Sequence, residues 1–274
     1  MKKCALLLLF FTLGFNLWSQ SVFTWDLRKD IIIGTAAVGL FFGHRLLSTE
    51  PSIPGYRNVR DLNFLDRGLL FENDLRHLDP ARAAIQFSFF ALPMVLTPLT
   101  VVGLDFSDGV IPWFLRGFDT WLVYGIMFTQ AGFLMEGIRG IIKGTANRFR
   151  PPVYIMGGSQ THAFSTDSFP SGSTMLAFTP AAFLSTTFSA EHPDSPWRLP
   201  IVIGSYLLAT SIGVQRVLSG EHFFTDVLAG AALGTLIGWG IPTLHRRTNG
   251  NDNNGISFMP TGNGIIVSVS LGGR

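Results

Sequence analysis

Apolar residues along this chain gather into long runs separated by short polar stretches. Ala81–Leu104, Asp119–Ile142 and Phe223–Ile241 are long enough to cross a bilayer, a task that takes about 20 mostly apolar residues in a helix. Gly172–Ala190 carries many Ser and Thr, Leu199–Val214 is shorter and cleaner, and Ile31–Leu47 is short and interrupted by Gly34, Gly39 and Gly43. The pattern predicts an all-α, multi-span transmembrane helix bundle over residues 21–247, with five or six spans. Phe223–Ile241 is rich in Gly and Ala, which suits close helix packing. Trp113, Trp121, Trp197 and Trp239 fall at or near segment ends, where interfacial aromatics concentrate.

The polar stretches read differently from one another. Ser48–Pro80 mixes Pro51, Pro54, Arg57, Arg60, Arg67 and Arg76 with several acids. It predicts a solvated surface loop with one short amphipathic helix over Phe64–Phe71. Residues 248–274 form a polar tail: Thr248–Gly255 is rich in Asn and Gly, and the runs Ile256–Met259 and Ile265–Leu271 flank a Pro/Gly turn. The second run alternates Val and Ser as a half-buried strand does, so a small C-terminal β-hairpin is expected. Residues 1–20 pair Lys2 and Lys3 with an apolar stretch from Ala5 to Leu17. That is the pattern of a signal peptide cleaved near Ser19-Gln20, or of a retained N-terminal anchor.

Composition sharpens this picture. Only 14% of the residues are charged, and there are 25 Phe and 6 Trp; soluble domains carry about 25% charged residues. A net charge of +2 without a basic run gives no footing for nucleic acid. The single cysteine, Cys4, allows neither an internal disulfide nor a thiolate metal site.

The placement of charge carries the chemistry. Lys143, Arg148 and Arg150 follow one apolar segment, and Arg216 and His222 bracket the gap between two later ones. Two segments lie between these gaps, so both gaps face the same side of the bundle. A Lys and several Arg gathered there suit a phosphate dianion, the Arg by bidentate forks and the Lys as a point charge. Between them, Phe169-Pro170-Ser171-Gly172-Ser173-Thr174 opens a segment. Its Ser can cap a helix, its Gly lets a ligand approach the backbone, and a helix N-terminus favours an anion. His222 and Asp226 are four apart, on one helical face, where a carboxylate can fix the tautomer of the ring. Arg148 reads as a surface or headgroup contact, and Glu136 with Arg139 as a pair within one helix. His44, His77, His192 and His245 read as solvated residues at segment ends or in loops.

Three spaced patterns now coincide. Lys143-Gly-Thr-Ala-Asn-Arg-Phe-Arg150-Pro151, Pro170-Ser171-Gly172-Ser173 and Arg216-Val-Leu-Ser-Gly-Glu-His222-Phe-Phe-Thr-Asp226 resemble, in order, the three motifs of the type 2 phosphatidic acid phosphatase (PAP2) and haloperoxidase-like superfamily. The resemblance runs over roughly Ala81 to Ile241. It implies a lipid phosphate or diphosphate phosphatase in which His222 attacks phosphorus and forms a phosphohistidine. Asp226 would orient His222. Lys143, Arg150 and Arg216, with the Ser171 hydroxyl and the Gly172 amide, would hold the phosphoryl oxygens. No metal or other cofactor is implied. The expected partners are a phosphorylated membrane lipid and the bilayer. The family's usual placement implies a bacterial-type inner membrane protein with its site on the outer face, although span counting alone leaves the side open.

Two positions depart from the pattern. Gln215 stands where the family has Ser before the third-motif Arg. Ser173 stands where the family has the His that protonates the leaving oxygen, which favours a good leaving group such as the second phosphate of a diphosphate. His162, in the Arg150–Pro170 connection, is the preferred substitute acid, with Asp167 and Glu221 as others. Rival readings are a degenerate member that binds phosphorylated lipid without turnover, a vanadate-dependent haloperoxidase sharing the oxyanion site, and a transporter.

Overall fold

The computed structural model of the chain describes residues 21–46, 58–71, 93, 95–102, 107, 109–110, 117–155, 166–247, 255–261 and 264–270. The N-terminal 20 residues, His162 and most of Ala81–Leu104 lie outside them; residues 95–102 are helical. The described chain is mostly helical: α1 (Leu27–Gly43), the one-turn α2 (Phe64–Gly68), α3 (Phe118–Ala146), α4 (Pro151–Ile155), α5 (Gly172–Glu191), α6 (Arg198–Leu218) and α7 (Phe224–His245). After them, β1 (Gly255–Thr261) and β2 (Gly264–Ser270) pair antiparallel.

Local chemistry fixes the ends that matter. Asp26 caps α1 by accepting from Arg28 N and Lys29 N, while Asp30 accepts from Asp26 N. α3 stops at Asn147, which takes a left-handed conformation (φ 44°, ψ 42°), one of the few residue types that do so readily. That turn sends the chain back across the helix end and delivers Arg150 beside Lys143. α6 ends at Leu218, two residues after Arg216, and Gly220 just beyond adopts φ 65°. The amides of Glu221 and His222 both donate to the Arg216 carbonyl at 3.3 Å.

Close packing of α5 and α7 orders the bundle. A Cβ on Gly230, Gly234 or Gly238 would lie 2.6, 2.9 or 2.1 Å from the carbonyl oxygens of Ser171, Met175 and Thr179 respectively. Both series advance by four residues in the same direction, so the two helices run parallel and their N-termini share one end. α6 returns between them. α3 lies against the same pair: Val123, Tyr124, Met127, Ala131 and Met135 pack with Met175, Phe183, Ile237 and Ile241 in the buried core. α1 covers α3, with Gly137 against the Leu40 backbone and Gly140 against the His44 ring.

Several hydroxyls of α5 are paired inside the bundle, though Thr179 Oγ1 is buried without a partner among the described residues. Ser185 bonds Ser205 at 3.0 Å, Thr187 bonds Thr97 at 3.2 Å, and all four are buried. This is why a segment too rich in Ser and Thr for a lipid-facing helix still runs its expected length. Two described helices, α6 and α7, are long and apolar enough to cross a membrane. Their outer faces expose Leu199, Ile203, Leu207, Leu208, Leu228, Leu236 and Trp239.

A second polar layer lies at the other end of α7. His245, expected to be solvated, is buried at 3% exposure. Its Nε2 lies 2.8 Å from Asp30 Oδ1, which also accepts from Gln130 Nε2. The chain after residue 20 is pinned there too, through Glu191 to Ser21 and the Val22 amide, and through Thr24 N to the His245 carbonyl.

Gly238→Ala drives a methyl group onto the Thr179 carbonyl and is expected to cost about 1–3 kcal/mol, read as a lower midpoint of thermal unfolding in detergent. Gly204→Ala meets nothing within 4 Å and gains helix propensity of up to about 1 kcal/mol, so its midpoint should be unchanged or higher.

Candidate active site

The shared end of α5 and α7, capped by the C-terminus of α3, gathers the charged residues of the polar connections. Lys143 lies in the last turn of α3. Its ammonium donates to the Asp167 carbonyl and lies 3.3 Å from Asp167 Oδ2. Arg150 Nε donates to Asp167 Oδ1 at 2.7 Å, and Arg150 Nη1 reaches the Glu221 carbonyl at 3.4 Å. Arg216 pairs with the Glu221 carboxylate. The three cations expected to bind phosphate thus converge around two carboxylates. Burial would raise the Asp167 carboxyl, but hydrogen bonding and charge from Arg150, then Lys143, hold it below the usual carboxylate range.

The N-terminus of α5 faces this cluster. Ser171 is its buried N-cap residue; its amide donates to the Asp226 carbonyl and its hydroxyl accepts from Thr174. A Cβ on Gly172 would lie 2.9 Å from Arg139 Cδ and Nη1, so the Arg139 side chain would have to shift to admit one. Arg139 does pair with Glu136, at 3.0 Å through Nε, and it also lies across the opening turn of α5. Ser173 follows in that same half-buried turn.

His222 is 3% exposed. Its Nδ1 lies 2.8 Å from the Ser168 carbonyl and 3.7 Å from Asp226 Oδ2. A carbonyl can only accept, so Nδ1 carries the proton and Nε2 keeps its lone pair. Burial pushes the ring down to about 4; Asp226 opposes that, while Arg150 and Arg216 add to it. The imidazole is neutral at pH 7, as a nucleophile must be.

Asp226 stands one step back. It is fully buried at the start of α7. Its Oδ2 accepts from Ser168 Oγ and from the Phe223 amide at 2.9 Å, and its Oδ1 from Arg148 Nη1 at 2.6 Å. The carboxylate holds Ser168 by its hydroxyl, and the Ser168 carbonyl in turn holds the ring.

Arg148, read from sequence as a surface contact, is a joint within the site. Its guanidinium binds Asp226, Thr225 Oγ1 and Asp66, and stacks over Phe223 at 4.5 Å. Asp66 is fully buried in the middle of the short α2. The polar Ser48–Pro80 stretch therefore contributes an inward-pointing acid as well as a solvated surface. Asp66, Ser168 and Arg148 were not among the expected site residues. Arg148 alone left a signal, as a third cation inside the first motif.

The chain is similar to several known proteins. Residues 120–249 match the PAP2 superfamily. A lipid A 1-phosphatase of Porphyromonas gingivalis is 30% identical over 128 residues, 44% of this chain and 27% of that protein. Lipid phosphate phosphatase 1 of Arabidopsis thaliana is 30% identical over 138 residues, 42% of this chain and 42% of that protein. The chain thus spans less than half the length of these curated relatives. Among solved structures, a transmembrane PAP2 type phosphatidylglycerolphosphate phosphatase from Bacillus subtilis aligns with a TM-score of 0.40 and 19% identity, covering 76% of this chain and 94% of that one. The matched region, just under half of the chain, holds all three motifs and most of the helices that carry them, and there the chain is similar to the PAP2 superfamily.

Proposed function

We propose that this protein hydrolyses the phosphate or diphosphate monoester of a membrane lipid, without a metal, through a phosphohistidine on His222. The observation that carries the reading is a buried, neutral imidazole with its Nδ1 proton held on a carbonyl, beside Lys143, Arg150 and Arg216.

In the first step the Nε2 lone pair forms the N–P bond as the P–O bond to the lipid breaks. The charge gathering on the phosphoryl oxygens is met by Lys143, Arg150, Arg216 and the first turn of α5. Preorganised charge of this kind is usually the largest catalytic contribution. The anion takes the place that Asp167 holds against Lys143 and Arg150; that carboxylate is about one-third exposed and can swing outward. The leaving oxygen departs as a phosphate anion when the substrate is a diphosphate, or takes a proton from a loop acid such as His162 when it is an alcohol. Water then attacks phosphorus, the N–P bond breaks, and inorganic phosphate leaves with the ring neutral again.

The supporting surroundings are those of a lipid enzyme. α6 and α7 present apolar residues outward, and the named relatives are lipid phosphatases. The reading places five or six spans in a bacterial-type inner membrane, with the site on the outer face.

Purified full-length protein in detergent should release phosphate from phosphatidate or a polyprenyl diphosphate in the presence of EDTA, and His222→Ala should release none. Binding of both lipids without release would instead favour a degenerate member that holds phosphorylated lipid. Arg216→Lys keeps the charge but loses the fork, and should lower kcat by about 10²–10³-fold. The lowered His222 pKa keeps the free enzyme's nucleophile neutral down to about pH 4. The acid limb of kcat/KM, which reports the free enzyme, should therefore lie well below the ordinary imidazole value of about 6.5.

A further inference from the structure

Asp66 is the one fully buried acid at this site that the phosphoryl-transfer reading leaves without a task. A buried carboxylate is costly unless several donors meet it, and Asp66 meets four. Thr225 N donates to Oδ1 at 3.0 Å; Thr225 Oγ1 at 2.8 Å, Asn63 Nδ2 at 2.6 Å and Arg148 Nη2 all donate to Oδ2. Burial raises the Asp66 carboxyl, yet donation from Thr225, Arg148 and Asn63 brings it below the usual range. It is an anion in the working protein.

We propose that Asp66 is a positioning residue for the reaction, setting the aim of His222 through Arg148, Asp226 and Ser168. The inference rests on the phosphatase reading. The guanidinium of Arg148 is planar and rigid, so anchoring Nη2 on Asp66 fixes where Nη1 meets Asp226 Oδ1. With Oδ1 engaged there, Oδ2 accepts from Ser168 Oγ and Phe223 N. Ser168 is then held so that its carbonyl takes the Nδ1 proton of His222. The Thr225 hydroxyl closes the loop, accepting from Arg148 and donating to Asp66. Asp66 lies 159 positions before Thr225, so the site is complete only when the segment carrying α2 has docked on the start of α7.

Charge gives the chain a second effect. Arg148 is shared between two carboxylates. Without Asp66, its whole charge falls on Asp226, and the protonated form of His222 loses support. The other charged groups facing His222 are Arg150, Arg216 and Glu221, and they are unchanged. The acid limb should therefore move further down.

The test uses the full chain in detergent, with phosphatidate micelles, and follows kcat, KM and the pH profile together. Asp66→Asn should lower kcat roughly ten- to a hundredfold, as loss of an outer partner that orients a reactive group does, with KM within about twofold. Its acid limb should move to lower pH. Arg148→Gln should cost as much, and the double variant no more than the worse single one, because both act along one chain. Thr225→Val retains the backbone bond that docks α2, and should show a smaller loss of kcat in the same direction; it carries the test if Asp66→Asn fails to fold. An active wild type whose Asp66→Asn and Thr225→Val variants lose activity only in proportion to folded protein, with the pH profile unmoved, overturns the inference and leaves the phosphatase reading standing. Additive losses in the double variant overturn it as well. A wild type that releases no phosphate from either lipid overturns both.

Discussion

Everything at the active end depends on how closely α7 can lie against α5. Glycines at 230, 234 and 238 let one backbone rest on the carbonyls of the other, and contact at that distance leaves no freedom to slide. It sets two helix N-termini side by side. One carries Ser171, Gly172 and Ser173; the other carries His222 just ahead of it and Asp226 in its first turn. The Ser171 amide bonded to the Asp226 carbonyl is the last rung of this contact. Lateral packing deep in the bundle thereby becomes registration of His222 against the N-terminus of α5, the proposed nucleophile against the proposed anion cradle.

The charges then stabilise one another in two groups. Lys143, Arg150 and Arg216 surround Asp167 and Glu221, while Arg148 lies between Asp66 and Asp226. The first group has an excess of cations and the second an excess of anions, and His222 sits between them. A dianion entering the first group meets positive charge that internal carboxylates only partly balance. The His222 imidazole, the proposed nucleophile, is backed by negative charge. That polarity is what a transition state moving negative charge toward the cations requires. Asp167, by occupying the cations at rest, offsets the cost of keeping them close in a partly dehydrated place.

Much of this was legible in the sequence, and what was not has physical reasons. The long helices follow from apolar run length, and the convergence of Lys143, Arg150, Arg216 and His222 from the parity of segments between polar gaps. The glycine stripe of α7 announced tight packing without naming its partner. Asp66 was hidden because a lone acid among mixed charges in a Pro-containing loop looks solvated, and only the tertiary contact with Thr225 and Arg148 removes it from water. Arg148 was misread for the related reason that a cation's partner, and not its own position, decides whether it faces inward. His245 gave no sign of burial because Asp30 lies 215 positions away. The bond from His222 to a backbone carbonyl was invisible, since main-chain acceptors leave no mark on a side-chain pattern; the four-residue spacing to Asp226 pointed to a direct pair where Ser168 intervenes.

The two polar layers also fit the solvent that the outer surface calls for. From Asp226 to His245, α7 rises roughly 28 Å at about 1.5 Å per residue, close to the ~30 Å of a hydrocarbon core. Between those ends the helix is Gly, Ala and branched aliphatic residues, with Thr235, Trp239, Pro242 and Thr243 as its exceptions. The catalytic charges sit at one limit of this length, and the Asp30–His245–Gln130 cluster at the other. Each layer lies where water can solvate its edge, and neither has to cross lipid. In the proposed reading, a phosphorylated headgroup held at the same depth would reach Lys143 and His222 while its chains stayed beside the apolar faces of α6 and α7. On that reading the bilayer would perform part of the positioning that a soluble enzyme would build from loops.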